Sequence, residues 1–177
     1  MMLQLRRAVA ADMAEIMRLE RAGFAEAIQE TEATFAERLS AAPEGCWVLA
    51  GDAGRLYGYL CAEFWPLQDG LDAGRFGRDH AAADTHVADG EEVYVSSMVV
   101  DPATRGTGWG RRLFSDALTE MFARHPHLRS TILIVNPEWA AARSIYRAEG
   151  FTEIGEIENY FASVGGARLP AIVMRRS

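Results

Sequence analysis

The chain has 177 residues, 49% of them apolar and 24% charged, the ordinary make-up of a soluble globular protein large enough for one domain with its own core. Lysine plus arginine number 18 against 25 aspartates and glutamates, a net charge of −7, which argues against nonspecific nucleic-acid binding and suits a cationic small molecule or a basic peptide. All 18 cations are arginines, so the absence of lysine excludes Schiff-base chemistry and a Walker phosphate loop.

No apolar run reaches membrane-spanning length, and the N-terminus lacks the apolar stretch of a secretory signal, so a cytoplasmic protein is expected. Cys46 and Cys61 sit in apolar surroundings and read as small buried hydrophobes. No CxxC or HExxH spacing occurs, so no metal is expected.

In chain order, Leu3–Val9 reads as a strand, and Asp12 is placed to cap a helix whose apolar face is Met13, Ile16, Met17 and Leu19. Thr34–Ala41 reads as a second helix. Cys46–Ala50 and Arg55–Phe64 read as strands joined by a turn at Gly51–Gly54. Pro66–Gly90 has four glycines and no sustained period; a functional lid and a disordered insertion are both open readings. Glu92–Val100 returns to strand. Gly108–Arg124 is the clearest helix, with Trp109, Leu113, Ala117 and Met121 four apart. Thr131–Val135 is an apolar strand, Trp139–Glu149 a helix closed by Gly150, and Phe151–Tyr160 and Leu169–Arg175 the last two strands, joined at Gly165-Gly166. The strand–helix–strand run from Glu92 to Val135 requires a parallel crossover. Neither a repeat nor a domain boundary is visible, so residues 1–177 are expected to form a single α/β domain.

The segment Asp101-Pro-Ala-Thr-Arg105-Gly106-Thr107-Gly108-Trp109-Gly110-Arg111 follows a buried strand and opens an amphipathic helix. Glycines there let backbone N–H groups turn toward an anion, and the helix start adds positive potential. The Rossmann fingerprint needs a third glycine where Arg111 stands. A second block, Ala142-Arg-Ser144-Ile-Tyr146-Arg-Ala-Glu-Gly150-Phe151, lies one strand further on, along the next helix and across its glycine end.

Together these blocks resemble the GNAT superfamily of N-acetyltransferases. Arg105, Gly108 and Gly110 fill its pyrophosphate loop, written Q/R-x-x-G-x-G/A, and Tyr146 with Gly150-Phe151 fills A-x-x-x-Y-x-x-x-G-F. The resemblance implies a mixed, mostly antiparallel sheet of about seven strands flanked by about four helices and splayed at its two parallel middle strands. It implies acetyl-CoA as co-substrate, bound by Met98, Val99, Val100, the loop Arg105, Gly106, Thr107, Gly108, Trp109, Gly110 and Arg111, and by Ser144 and Tyr146. A backbone N–H near Met98 would polarise the thioester carbonyl and Tyr146 would protonate the leaving thiolate. Many relatives place a CoA-binding asparagine seven residues before that tyrosine; here the position is Trp139, and Asn136 either does this work or only caps the helix.

The N-terminal half, with Glu20-Arg-Ala-Gly-Phe24 and Gly54-Arg-Leu-Tyr-Gly58, looks like the arylalkylamine N-acetyltransferase branch. The two histidines that branch uses are replaced by Tyr94 and Ser96. The proton acceptor for the incoming amine is sought among Glu63, Glu92 and Tyr94, with Glu63 favoured, and substrate contacts at Phe24, Phe64, Trp65 and Ser96. The expected reaction is acetyl transfer to a primary amine of a small cationic substrate, aromatic or a polyamine; a protein N-terminus or lysine is the alternative, and an inactive acyl-CoA sensor a third. The acids of the 66–92 segment, among them Asp69, Asp72 and Asp79, are expected to steer that cation. The partner is a small amine, with neither nucleic acid nor membrane involved, and a homodimer is compatible with the pattern.

Overall fold

The computed structural model describes residues 2–78, 80–163 and 165–177. Seven strands form one sheet: β1 (Gln4–Arg7), β2 (Trp47–Ala50), β3 (Leu56–Trp65), β4 (Glu92–Val100), β5 (Ser130–Val135), β6 (Thr152–Ala162) and β7 (Arg168–Arg176), in the order β1-β2-β3-β4-β5-β7-β6. Every neighbouring pair is antiparallel except β4–β5. The helices are α1 (Met13–Gly23), α2 (Glu32–Ala41), a four-residue α3 (Ala82–Thr85), α4 (Trp109–Arg124) and α5 (Ala140–Ala148). The expected mixed sheet is present, with five helices instead of four because α3 lies in the segment without a readable period.

Two apolar layers sandwich the sheet. On one face Leu113, Phe114, Ala117, Leu118 and Met121 of α4 pack on Leu60, Ala62, Phe64, Val93 and Val95. On the other, Ile16 and Leu19 of α1 and Phe35 of α2 pack on Val48, Tyr59, Cys61 and Val99. β3 is buried along almost its whole length because both faces are covered, which explains its near-continuous apolar run. Asp12 does not cap α1 as expected. Its carboxylate accepts two bonds of 2.8 Å from Arg6 and one of 2.9 Å from Val9 N, pinning the end of β1 to the helix start.

The 66–90 segment is packed onto the sheet. Phe76 lies against Trp65 and Tyr94, α3 receives the Glu37 carboxylate at the N–H groups of Ala82 and Ala83, and Tyr160 donates to the Phe76 carbonyl at 2.6 Å. The reading of this stretch as a disordered insertion gives way to a strap between α2 and β6. Gly150, at φ 87°, ends α5 in the left-handed conformation, and Phe151 N reaches back to Tyr146 O at 3.0 Å.

Candidate active site

The sheet opens where its two parallel strands separate. β4 and β5 pair from Glu92↔Ser130 to Val95↔Leu133 and no further, although β4 runs on to Val100 and keeps its pairing with β3. Backbone groups of residues 96–100 that point away from β3 therefore face a gap. A bulge at the Cys61/Ala62 register shift, opposite Ser96, re-aims β4 at the point of divergence. Met98 packs toward the α4 layer and Val99 toward the α1 layer, so side chains of this stretch line both faces.

At the end of β4 the chain turns through Asp101–Thr104 into the glycine loop. Asp101 is held by Arg18 at 3.0 Å and Arg55 at 3.2 Å, and its other oxygen accepts from Ala103 N at 2.9 Å, which fixes the turn. Gly106 (φ 76°) and Gly108 (φ 87°) are left-handed, and a side chain built at either would meet nothing within 4 Å. The glycines thus serve conformation and approach from outside rather than internal packing. Among the described residues no acceptor bonds the N–H of Gly106, Gly108, Trp109, Gly110 or Arg111; the first α4 bond runs from Arg112 N to Gly108 O at 3.1 Å. These donors converge at the N-terminus of a 16-residue helix, an anion cradle. Arg105 is exposed and makes no ion pair among the described residues, Arg111 is anchored to Glu149 at 2.7 Å, and Arg112 lies over the Trp109 ring. Gly110 packs against Val100 and Ile145, locking helix to strand.

Tyr146 sits on α5 against Phe114 and Phe151, in the α4-side layer. Burial pushes its phenol up to about 12, so it remains a proton donor at neutral pH. No described residue hydrogen-bonds its hydroxyl. Ser144 is exposed on the same helix. Asn136 is buried, and its Oδ1 accepts from Glu138 N at 2.9 Å, the turn that launches α5. Capping work is thereby present, and its amide nitrogen is left for other partners.

The opposite face holds the residues singled out as proton acceptors. Glu63 is 1% exposed and accepts hydrogen bonds from Trp65 Nε1 at 2.9 Å, His80 Nε2 at 2.7 Å and the Thr85 hydroxyl. Burial pushes its pKa up, but these donors outweigh it and hold the carboxyl below the usual range. Glu63 is a satisfied anion that anchors the strap. Glu92 lies at the closed end of β4, bonded by Arg175 at 2.8 Å and Ser130 at 2.8 Å, and serves as a buried ion pair there. Tyr94 is stacked on Trp65 at 4.0 Å beneath Phe76, and burial raises its phenol far above neutrality.

Of the expected substrate contacts, Phe64 points into the α4 layer because strand alternation turns it away from Glu63 and Trp65. Trp65 is sealed under Phe76 and Arg75. Ser96 is half-buried at the bulge and donates to Cys61 O at 3.2 Å. Phe24, just past α1, meets Trp139 at 5.7 Å, and Trp139 meets Phe161 of β6 at 5.4 Å. These three rings form a continuous chain from the end of α1, past the start of α5, to β6 of the last hairpin. Asp69, Asp84 and Asp89 are exposed on the strap, Asp72 accepts from Gly74 N at 3.0 Å, and Asp79 lies outside the described residues.

Sequence reasoning missed His80, whose role is set by a contact 17 residues back in the chain, and the buried group Glu20–Tyr59–Ser97. Glu20 carried a faint signal, an acid on the otherwise apolar stripe of α1 at Ile16 and Leu19.

Residues 12–151 match the family model described as Acetyltransferase (GNAT) family. A search by sequence among curated proteins finds no match. Among solved structures, the loading GNATL domain of CurA from Lyngbya majuscula superposes with a TM-score of 0.82 at 13% identity, over 100% of this chain and 98% of that one. The ribosomal-protein-S18-alanine N-acetyltransferase from Escherichia coli gives 0.72 at 22% identity, over 98% and 92%. A phosphinothricin acetyltransferase from Sinorhizobium meliloti, in complex with AcCoA, gives 0.69 at 24% identity, over 99% and 88%.

Proposed function

The chain belongs to the Acetyltransferase (GNAT) family and is an acyltransferase by that membership, and from this premise we propose that it transfers the acetyl group of acetyl-CoA directly to a primary amine of a small cationic substrate. One observation carries the reading: beyond Val95↔Leu133 the β5-side edge of β4 is unpaired and leads into a cradle of N–H groups, those of Gly106, Gly108, Trp109, Gly110 and Arg111, without acceptors among the described residues. That arrangement fits a pyrophosphate at one end and a thioester along the unpaired edge of β4. Acetyl-CoA would supply the activated carbonyl.

The loop N–H groups and Arg105 would bind the diphosphate, and the free backbone of residues 96–100 would hold the pantetheine as an added strand. A backbone N–H near Met98 would donate to the thioester oxygen. Tyr146, protonated at neutral pH, would give its proton to the departing sulfur. The aromatic arch Phe24–Trp139–Phe161 favours an acceptor with an apolar or aromatic body beside its cationic amine.

Acetyl-CoA affinity by calorimetry, followed by thiol release against phenylethylamine, spermidine, phosphinothricin and hexapeptides beginning with alanine or carrying lysine, tests the reading. Micromolar acetyl-CoA binding with release on a small amine is expected. Release on the peptides alone would move the assignment to protein acetylation. Binding without release on any of them overturns it.

A further inference from the structure

Resting on the acetyl-transfer reading, we infer that the acceptor amine loses its proton through Ser97 and Tyr59 to Glu20, a buried relay running from the gap into the α1 layer. Glu20 is 1% exposed, yet its carboxylate is fully addressed. Oε1 accepts from Glu30 N at 2.9 Å, and Oε2 accepts from the Tyr59 hydroxyl. The Tyr59 oxygen lies 3.2 Å from Ser97 Oγ. Ser97 sits two residues beyond the last β4–β5 pair, half-buried, on the open stretch of β4. The end of α1 is fitted over that stretch: a side chain at Gly23 would strike Val99 at 2.8 Å, so the helix approaches as closely as glycine allows.

The directions of these bonds are fixed by chemistry. An ionised carboxylate only accepts, so the Tyr59 proton points at Glu20. The Tyr59 oxygen then accepts from Ser97, whose own lone pair is left for a donor on the gap side. An ammonium is such a donor. In the transfer its proton passes to Ser97 Oγ, the Ser97 proton to Tyr59, and the Tyr59 proton to Glu20 Oε2. Each hydroxyl gains one proton and loses one, Glu20 ends neutral, and the amine regains the lone pair that attacks the thioester. The second N–H proton, released on amide formation, restores through water the proton that Tyr146 gives to sulfur, and Glu20 returns its own proton to solvent before the next turnover.

The surroundings suit Glu20 to this task. Burial is the main influence and raises its pKa; the bonds from Tyr59 and Glu30 N pull it down, the Glu30 carboxylate raises it, and Arg38 lowers it. Arg38 is itself taken up by Glu30, with Nη2 to Oε1 at 2.8 Å, so no arginine pairs with Glu20 directly. A carboxyl perturbed upward by burial is a better proton acceptor than Glu63, which three donors hold ionised.

The test is the pH profile of kcat/KM for Glu20→Gln, using whichever amine of the panel above releases thiol fastest. Gln keeps the shape; its one carbonyl oxygen can still accept from Glu30 N, while its amide NH2 faces Tyr59 as a donor and can take no proton from it. Expected are a fall of about 100-fold near neutral pH, loss of the acid limb that the parent shows, and acetyl-CoA affinity within about 2-fold of the parent. Ser97→Ala should fall comparably, because it cuts the chain where the substrate meets it. A second readout needs no acceptor: the infrared carbonyl band of a protonated buried carboxyl should appear in the parent on acidification and be missing in Glu20→Gln. If Glu20→Gln keeps the parent's acid limb while binding and turning over acetyl-CoA, the relay is overturned and the transfer reading stands. If no amine of the panel releases thiol from the parent, the transfer reading falls and the relay with it.

Discussion

The two faces of the gap are built on opposite principles. On the α4 side, recognition groups are left open: five backbone N–H groups without acceptors, two left-handed glycines with nothing beside them, an exposed Arg105 and a tyrosine hydroxyl without a bonded partner among the described residues. On the α1 side nearly every polar group is already engaged by the protein itself. Glu63 has three donors, Glu92 has Arg175 and Ser130, Glu20 has Tyr59 and Glu30 N, and the strap closes over Trp65 and Tyr94. A site that binds one invariant anion can wait open, because the diphosphate replaces water on donors that water satisfies equally well. A site that must move a proton needs its donors and acceptors ordered before the substrate arrives.

The sharpest way to break this contrast is on the open side. Gly108→Glu puts a side chain at φ 87°, where only glycine is at ease, and a negative charge among the donors. Acetyl-CoA affinity should fall by about 100-fold or more, roughly 3 kcal/mol, with the circular dichroism of the parent retained. Unchanged affinity in the folded variant would remove the loop from cofactor binding. Tyr146→Phe keeps the ring packed on Phe114 and Phe151 and removes only the donor. Turnover should fall about 10- to 1000-fold with acetyl-CoA affinity nearly intact. A parent-like turnover would hand the thiolate's proton to water.

The same contrast explains what could be read from the amino-acid order. The strands and long helices follow local apolar periods, and the crossover at Glu92–Val135 follows from chain connectivity, so both were legible. The glycine loop was legible because backbone recognition imposes a contiguous pattern, Gly106, Gly108 and Gly110 next to a helix start. The α1 side was not, because its chemistry is assembled from distant segments. Glu20, Tyr59 and Ser97 come from three elements with separations of 39 and 38 residues, and none carries a local signature. The partners of Glu63 and Glu92 were illegible for the same reason: an acid at a strand end reads as free until its donors from the strap and from β7 are known. Asp12 was legible as a polar residue at a helix start, but its partner Arg6 belongs to β1.

On the closed side, His80 offers a smaller and pH-dependent perturbation. Its Nε2 is 2.7 Å from Glu63 and its Nδ1 is 2.6 Å from Gly77 O, so both nitrogens face acceptors and the ring is held protonated. The bond to Glu63 is the main cause of its raised pKa, opposed by burial. A raised pKa means that this contribution is full below the ordinary histidine value of about 6.5 and is lost as pH rises through the higher folded value. Glu63, held low, contributes above the ordinary carboxyl range and is lost as pH falls through its folded value. Hydrogen exchange of residues 66–90 should therefore be slowest between those limits and accelerate on the alkaline side. His80→Ala should cost the strap about 2 kcal/mol of protection and abolish the alkaline acceleration. Parent-like exchange at every pH in that variant would show that the strap is held by Phe76 and Glu37 alone.

The smallest effect expected is electrostatic and belongs to the outer surface of the same strap. Asp69, Asp84 and Asp89 are exposed there, against one exposed arginine of the strap, Arg78, which reaches Ile28 O at 3.4 Å; Arg75 lies over Trp65 near Glu92. The outward field of the strap is thus negative, and the strap is joined to β6 by the Tyr160–Phe76 bond, beside Phe161. A cationic amine approaching the arch of Phe24, Trp139 and Phe161 would be concentrated by that field, and exposed charges act over only about 8–10 Å at ordinary salt. Changing Asp69, Asp84 and Asp89 together to asparagine should lower kcat/KM for a cationic acceptor by about 2- to 3-fold at low ionic strength and flatten its decline with added salt. Asp72 is best left in place, since its carboxylate caps Gly74 N and its loss would disturb the strap as well as the field. With kcat unchanged, the effect would lie in encounter, which separates it from the relay variants, whose loss lies in the proton transfer itself. A triple variant that keeps the parent's salt response would mean that these acids only solvate the strap, and that the preference for a cation rests on the ordered acceptors behind it.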